Sequence, residues 1–420
     1  MSDLDARALI DPDVYARSGA PHAAWARLRR EAPIARFEST GSGPLDYGPF
    51  WAVTRHADIH EVSRRTDVFS NAGGITFLSH EQRAGQAGFP PVHTVIDMDP
   101  PEHRRYRKLA SPRFTPNAMD ALAAVIEDSA RSLMDELAGQ TSEGEGECDF
   151  VTQVAARHPL RILSTLLGVP REEEPRILRL TGAIFGNDDP ELLAAENRSA
   201  AIQQVGLELF QYFASIVEER RARPRDDLAS LLANGLVGGQ PMGPIETFGY
   251  YLVVFTAGHE TTRNALSGGM LALIEHPDQR EKLRASPELV SAAVEEIARW
   301  TSPVSFMKRT LQQDVELRGE KLREGDELLL FYGSANRDEA VFADPFGFRI
   351  ERDPNPHLAF GVGEHFCLGA HLARRSARAL FRQLARRIEW VELVREPARL
   401  RSNFVVGLKH LPIRYRIARA

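Results

Sequence analysis

Apolar residues recur at helical spacing along most of the chain. The pattern predicts helices over residues 20–31, 116–138, 149–167, 198–223, 244–274, 277–284, 289–300 and 368–388. Short β-branched, aromatic or leucine-rich runs are fewer, and predict strands at 50–54, 315–317, 327–332 and 413–416, with a bend at Glu324-Gly325-Asp326 before the third. The charge runs at 27–31, 171–174 and 220–227 read as solvated faces. This is the pattern of a mainly α protein with a few short strands. No repeat, low-complexity run or Pro/Gly/Ser linker interrupts it, so one domain over residues 1–420 is expected.

The longest mainly apolar stretch, residues 250–257, is far too short to cross a bilayer. Residues 1–13 are acidic and lack the apolar core of a signal peptide or anchor. Two cysteines exclude a disulfide framework and fit a reducing compartment, so a soluble, cytoplasmic protein is expected. A net charge of −6 leaves no footprint for nucleic acid.

Candidate chemistry concentrates at Phe360-Gly361-Val362-Gly363-Glu364-His365-Phe366-Cys367-Leu368-Gly369. Here a lone cysteine ends a glycine-rich loop just before a helical pattern. A thiol at a helix start sees unpaired backbone N–H groups and the positive end of the helix dipole, which favour its thiolate. Gly361, Gly363 and Gly369 allow close approach of a flat group, and Phe360 would shield the sulfur from water. A structural cysteine after a turn is the other reading of a lone thiol. Zinc is disfavoured, because Cys367 and His365 lack a second ligand pair at suitable spacing. Cys148, in the acidic segment 141–149, reads as an incidental thiol in a loop.

The same ten residues match, at every fixed position, the heme-binding signature F-G-x-G-x-H-x-C-x-G of the cytochrome P450 family. The chain resembles that family from about Gly48 to Arg414. The resemblance implies the triangular, mainly α cytochrome P450 prism with a small β-rich lobe, and a heme b cofactor with Cys367 as its axial thiolate, a ligand that favours O–O cleavage. Ala257-Gly258-His259-Glu260-Thr261-Thr262 is similar to the family's oxygen motif [AG]-G-x-[DE]-T-[TS]. By that likeness Thr261 would hydrogen-bond the iron-bound oxygen, and Glu260 would connect it to solvent protons. Glycine inside a helix costs about 1 kcal/mol relative to alanine, and a threonine hydroxyl can bond back to the helix, so a notch is expected here. His259 is unassigned in the pattern and reads as structural.

Glu296 and Arg299 lie three apart on one helix face and resemble the family's buried structural ion pair. His103 and Arg107, four apart, resemble its clamp on the heme propionates, together with Arg309 and His365. Arg104, Arg105, Lys108 and Arg113 add a basic surface, which reads equally as a dock for an acidic electron donor or as a solvated face. Softer likeness runs to bacterial members that hydroxylate terminal methyls of sterol side chains and methyl-branched lipids, through residues 334–339, Asp344-Pro345, Asn355-Pro356-His357, 261–264 and 396–400. The segments corresponding to pocket walls, 75–95, 184–188, 253–257, 304–306 and 404–405, imply an apolar substrate.

The implied activity is monooxygenation with O2. Ferredoxin and ferredoxin reductase would act as separate electron donors, since the chain carries no flavin or iron–sulfur signature. A peroxide-driven peroxygenase and a non-catalytic heme sensor are the alternatives, both disfavoured by the complete oxygen motif.

Overall fold

The structure is a computed structural model and describes residues 4–40, 46–86, 92–186, 188–194 and 197–418. The main helices are α1 (Glu102–Ala110), α2 (Ala123–Gly139), α3 (Arg157–Leu167), α4 (Arg198–Ala222), α5 (Pro244–Glu275), α6 (Val290–Thr301) and α7 (Ala370–Arg387). Pro244 opens α5 at the first helical position, where a missing N–H costs nothing, and Pro277 follows soon after its end. Between them α5 buries residues on all sides, because α3, α4, α6 and α7 pack around it. α7 is two-faced: Leu372, Leu380, Phe381 and Leu384 are buried, while Arg375, Arg378, Arg382 and Arg386 are more exposed.

A five-stranded sheet forms the second body of the fold, from β1 (Ile34–Phe37), β2 (Phe50–Val53), β3 (Phe69–Ser70), β4 (Phe306–Leu311) and β5 (Glu327–Phe331). Its order is β1-β2-β5-β4-β3, with β5 parallel to β2 and every other pair antiparallel. Leu328 and Leu330 of β5 enter one apolar cluster and Leu329 and Phe331 another. A central strand covered on both faces explains a continuous apolar run where an exposed sheet would show alternation. A smaller sheet places Pro412–Ile417 between Ile388–Leu393 and Glu145–Asp149.

Several sequence expectations change. The helix over 149–167 is instead a strand ending at Asp149, one wide turn over Val151–Ala155, and then α3. The Asp149 carboxylate causes the break by accepting the N–H groups of Val151 and Leu411. Cys148 therefore lies in a strand opposite Ile413, not in a loop, and burial pushes its thiol up to about 12. The helix over 116–138 begins with a tighter turn at Ala118–Leu122. Two charge runs each bury an arginine: Arg29 binds Ser334 and Glu339, and Arg220 pairs with Asp227. Strand β4 escaped prediction because its buried Lys308 and Arg309 read as polar.

Candidate active site

The loop before α7 builds the site. Gly361 and Gly363 have φ of +66° and +80°, a region L side chains avoid. A Cβ on Gly363 would also lie 2.8 Å from the Ser63 carbonyl oxygen. These turns bring the Cys367 N–H to the Phe360 carbonyl at 2.9 Å, so the loop closes on itself and the sulfur projects inward. Cys367 is accessible, yet that surface faces an interior cavity and not the outside. Burial raises its thiol pKa, opposed by the Gly369 N–H and by the charges of Arg107 and Arg374. The N–H at the helix start favours the thiolate, as expected, but burial outweighs it; a cation bonded to the sulfur would supply what burial removes.

The cavity encloses about 1830 Å³ of empty space, counting its open mouth. Ala257, Gly258, Thr261, Thr262 and Ala265 form its wall on α5. α5 runs through this stretch unbroken, so the expected notch is not a helix break. Gly258 is needed for packing instead: a Cβ there would come within 3.1 Å of Leu163 on α3. The Thr261 hydroxyl donates back to the Ala257 carbonyl at 2.6 Å.

Glu260 does not line the cavity and is buried, so in this arrangement it reaches neither the cavity wall nor solvent. Its Oε2 lies 2.6 Å from Arg263 Nη2, and Oε1 lies 3.1 Å from His259 Nδ1. Burial pushes the Glu260 carboxyl up, but Arg263 and His259 outweigh it and hold the pKa below the usual range. His259 also donates from Nε2 to the Ala156 carbonyl at 2.9 Å, which ties α5 to the start of α3. The direct link from Glu260 to solvent protons is corrected accordingly.

His103, Arg107, Arg309 and His365 converge on one edge of the cavity from α1, β4 and the Cys367 loop. The two imidazole rings sit 4.2 Å apart. Burial lowers both histidine pKa values, that of His365 to about 3, and the neighbouring cations add to the effect. His103 Nδ1, His365 Nε2 and Arg309 Nε are buried with no hydrogen-bond partner among the described residues. Buried donors are almost always paired, and a buried guanidinium with no carboxylate is costly. An anionic edge on a flat group satisfies all of them, so the donor set fits heme with its propionates.

On α6, which lends Ile297 and Ala298 to the cavity wall, Glu296 and Arg299 form a fully buried fork with two contacts of 2.7 Å. Arg352 and Asn355 join it, neither of which the sequence spacing indicated. Arg374, also absent from the sequence reading, lines the cavity and stacks 4.3 Å from the Phe360 ring centre. Its position seven residues after Cys367, two helical turns along, is the signal that was available. Of the expected pocket segments, Val95, Val253, Val254, Ala257 and Val304 line the cavity, joined by Ile96 and Met307. Segments 184–188 and 404–405 do not, and residues 87–91 and Asn187 lie outside the described residues. On the basic surface Arg104 is tied to Glu364 and Arg113 to Asp226.

Comparison with known proteins agrees with this geometry. The family model for cytochrome P450 matches residues 47–417. The methyl-branched lipid omega-hydroxylase of Mycobacterium tuberculosis is 39% identical, covering 96% of this chain and 92% of that protein. The steroid C26-monooxygenase of the same species is 36% identical over 96% and 92% respectively. The crystal structure of CYP108D1 from Novosphingobium aromaticivorans superposes with a TM-score of 0.88 at 37% identity, covering 98% of each chain.

Proposed function

This chain belongs to the cytochrome P450 family, and from that membership we propose that it hydroxylates the end of a methyl-branched hydrocarbon chain, in a lipid or a sterol side chain. It is a monooxygenase of apolar substrates that uses heme with a cysteine thiolate ligand. When bound, the heme supplies the oxidising chemistry: one atom of O2 enters a C–H bond, and the other leaves as water with two electrons and two protons.

In this proposal Cys367 would hold the heme through its sulfur, and His103, Arg107, Arg309 and His365 would hold its propionates. Thr261, on the α5 wall, holds a donor proton at Oγ1 that can turn from the Ala257 carbonyl toward the oxygen site. Ala257 keeps that wall low enough for oxygen and substrate to share it.

The apolar character of the substrate rests on one observation. Val95, Ile96, Val253, Val254, Val304 and Met307 make an apolar wall, and all the charged side chains lining the cavity belong to the propionate edge or to Arg374. Burying a chain there contributes about 0.8 kcal/mol per CH₂, so affinity grows with chain length until the wall is covered. Terminal C–H bonds are the strongest in an alkyl chain, so attack at the end requires the wall to exclude inner methylenes. Electrons come from ferredoxin and its reductase as separate proteins. The test is a series of branched fatty acids, terpenoids and sterols, turned over with NADH and these partners and, in parallel, with peroxide alone. Terminal alcohols formed with the redox partners are expected. Exclusive in-chain or ring hydroxylation, or no binding by any branched chain, would overturn the substrate reading.

A further inference from the structure

We propose that Arg374, held over the Phe360 ring by Glu295, is a positioning residue that sets how strongly the Cys367 sulfur donates to the heme iron, and hence the iron's reduction potential. The inference rests on the reading of Cys367 as the axial ligand. Side chains on a helix lean toward its N-terminus, so Arg374, in the second turn of α7, reaches back toward the loop that carries the cysteine. There its guanidinium carbon lies 4.3 Å from the centre of the Phe360 ring, whose own carbonyl accepts the Cys367 N–H.

The guanidinium is not free to leave. Its Nε contacts both Glu295 oxygens, at 2.8 and 3.0 Å, and its Nη2 donates to Oε2 at 2.8 Å, a forked pair that fixes orientation as well as distance. His357 donates to the same carboxylate from Nε2 at 3.1 Å, while its Nδ1 accepts the Ala359 N–H, so the third leg is itself anchored in the loop. Arg378 Nη2 stands 3.7 Å from Glu295 Oε1. Burial pushes the Glu295 carboxyl up, but His357 and Arg374 pull it down to about 2, so the anion persists across the working range of pH. Arg374 and Glu295 thus place a positive charge against the loop that carries the cysteine and a negative charge one step further away.

Electrostatics then gives opposite signs for the two partners. A positive charge beside the thiolate withdraws density from the iron and favours the reduced state, and a negative charge does the reverse. Arg374→Gln in the heme-loaded protein should shift the reduction potential to a more negative value. Glu295→Gln should shift it to a more positive value, with Arg378 adding to the unneutralised charge. Arg374→Lys, which keeps the charge without the fork, should recover most of the first shift. Potentiometric titration of the substrate-free protein reads all three. Shifts of the same sign in Arg374→Gln and Glu295→Gln, the mark of a merely loosened loop, would overturn the proposal, as would no shift in either. Carbon monoxide spectra of the reduced wild type provide the separate arm: without the red-shifted Soret band, the ligand reading itself falls and takes this one with it.

Discussion

At the scale of single residues, the ten-position loop was legible because its chemistry is contiguous: every glycine, the histidine and the cysteine act within one turn of chain. Glu260 was misjudged although its phase was available. At 100° per residue, the cavity-facing positions 257, 258, 261, 262 and 265 cluster on one side of α5, and Glu260 and Arg263 fall outside that arc. Thr261 is thus the side chain of the pair that meets the cavity. Thr261→Ala removes one donor, a loss of about 0.5–1.5 kcal/mol for an ordinary hydrogen bond and more toward a charged acceptor. Heme and substrate binding should stay near wild type, while a larger share of NADH is consumed in making peroxide. Measuring product formed per NADH decides it, and full coupling in this variant would remove Thr261 from proton delivery.

Elements were legible where one face of a helix had to be apolar, and illegible where burial was polar. α5, α6 and α7 begin and end within about two residues of their predicted limits. Strand β4 was missed for its buried Lys308 and Arg309, and the strand at Glu145–Asp149 for its acidic residues. The Glu296–Arg299 pair shows what such polar burial means for stability. Glu296 receives Arg299, Arg352, Asn355 and the Arg349 N–H, and its own helix supplies only the first of these. Glu296→Gln leaves two buried guanidinium groups without their carboxylate, a change of order 3–5 kcal/mol. The variant should unfold at clearly lower urea concentration than wild type and retain less heme. An unchanged midpoint would show that α6 and the segment from Asn336 to Asn355 do not depend on this ion pair.

Across the whole molecule, the contacts that close the fold join residues hundreds of positions apart, and no local pattern announces them. His410 is an instance. Its Nδ1 meets Asp149 Oδ2 and its Nε2 meets Glu191 Oε1, each at 2.5 Å, and these bonds, that with Asp149 foremost, raise its pKa above 6.5. Because the folded value exceeds the unfolded one, the stabilisation is complete below 6.5 and fades as pH climbs through the raised folded value. His410 is a third exposed, so solvent screens the effect and keeps it modest. The difference in urea midpoint between wild type and His410→Gln should shrink as pH rises through that window. A difference that grew with pH would contradict the pairing. Closure at long range has a further consequence, for how the protein is made. Residues 145–149 leave the ribosome well before their strand partner at 412–417 is translated. While the intervening residues are made, that strand edge stands open, with Cys148 still uncovered. An open edge invites pairing with the wrong chain, so crowding on the polysome and the supply of chaperones should bear on the yield of this protein.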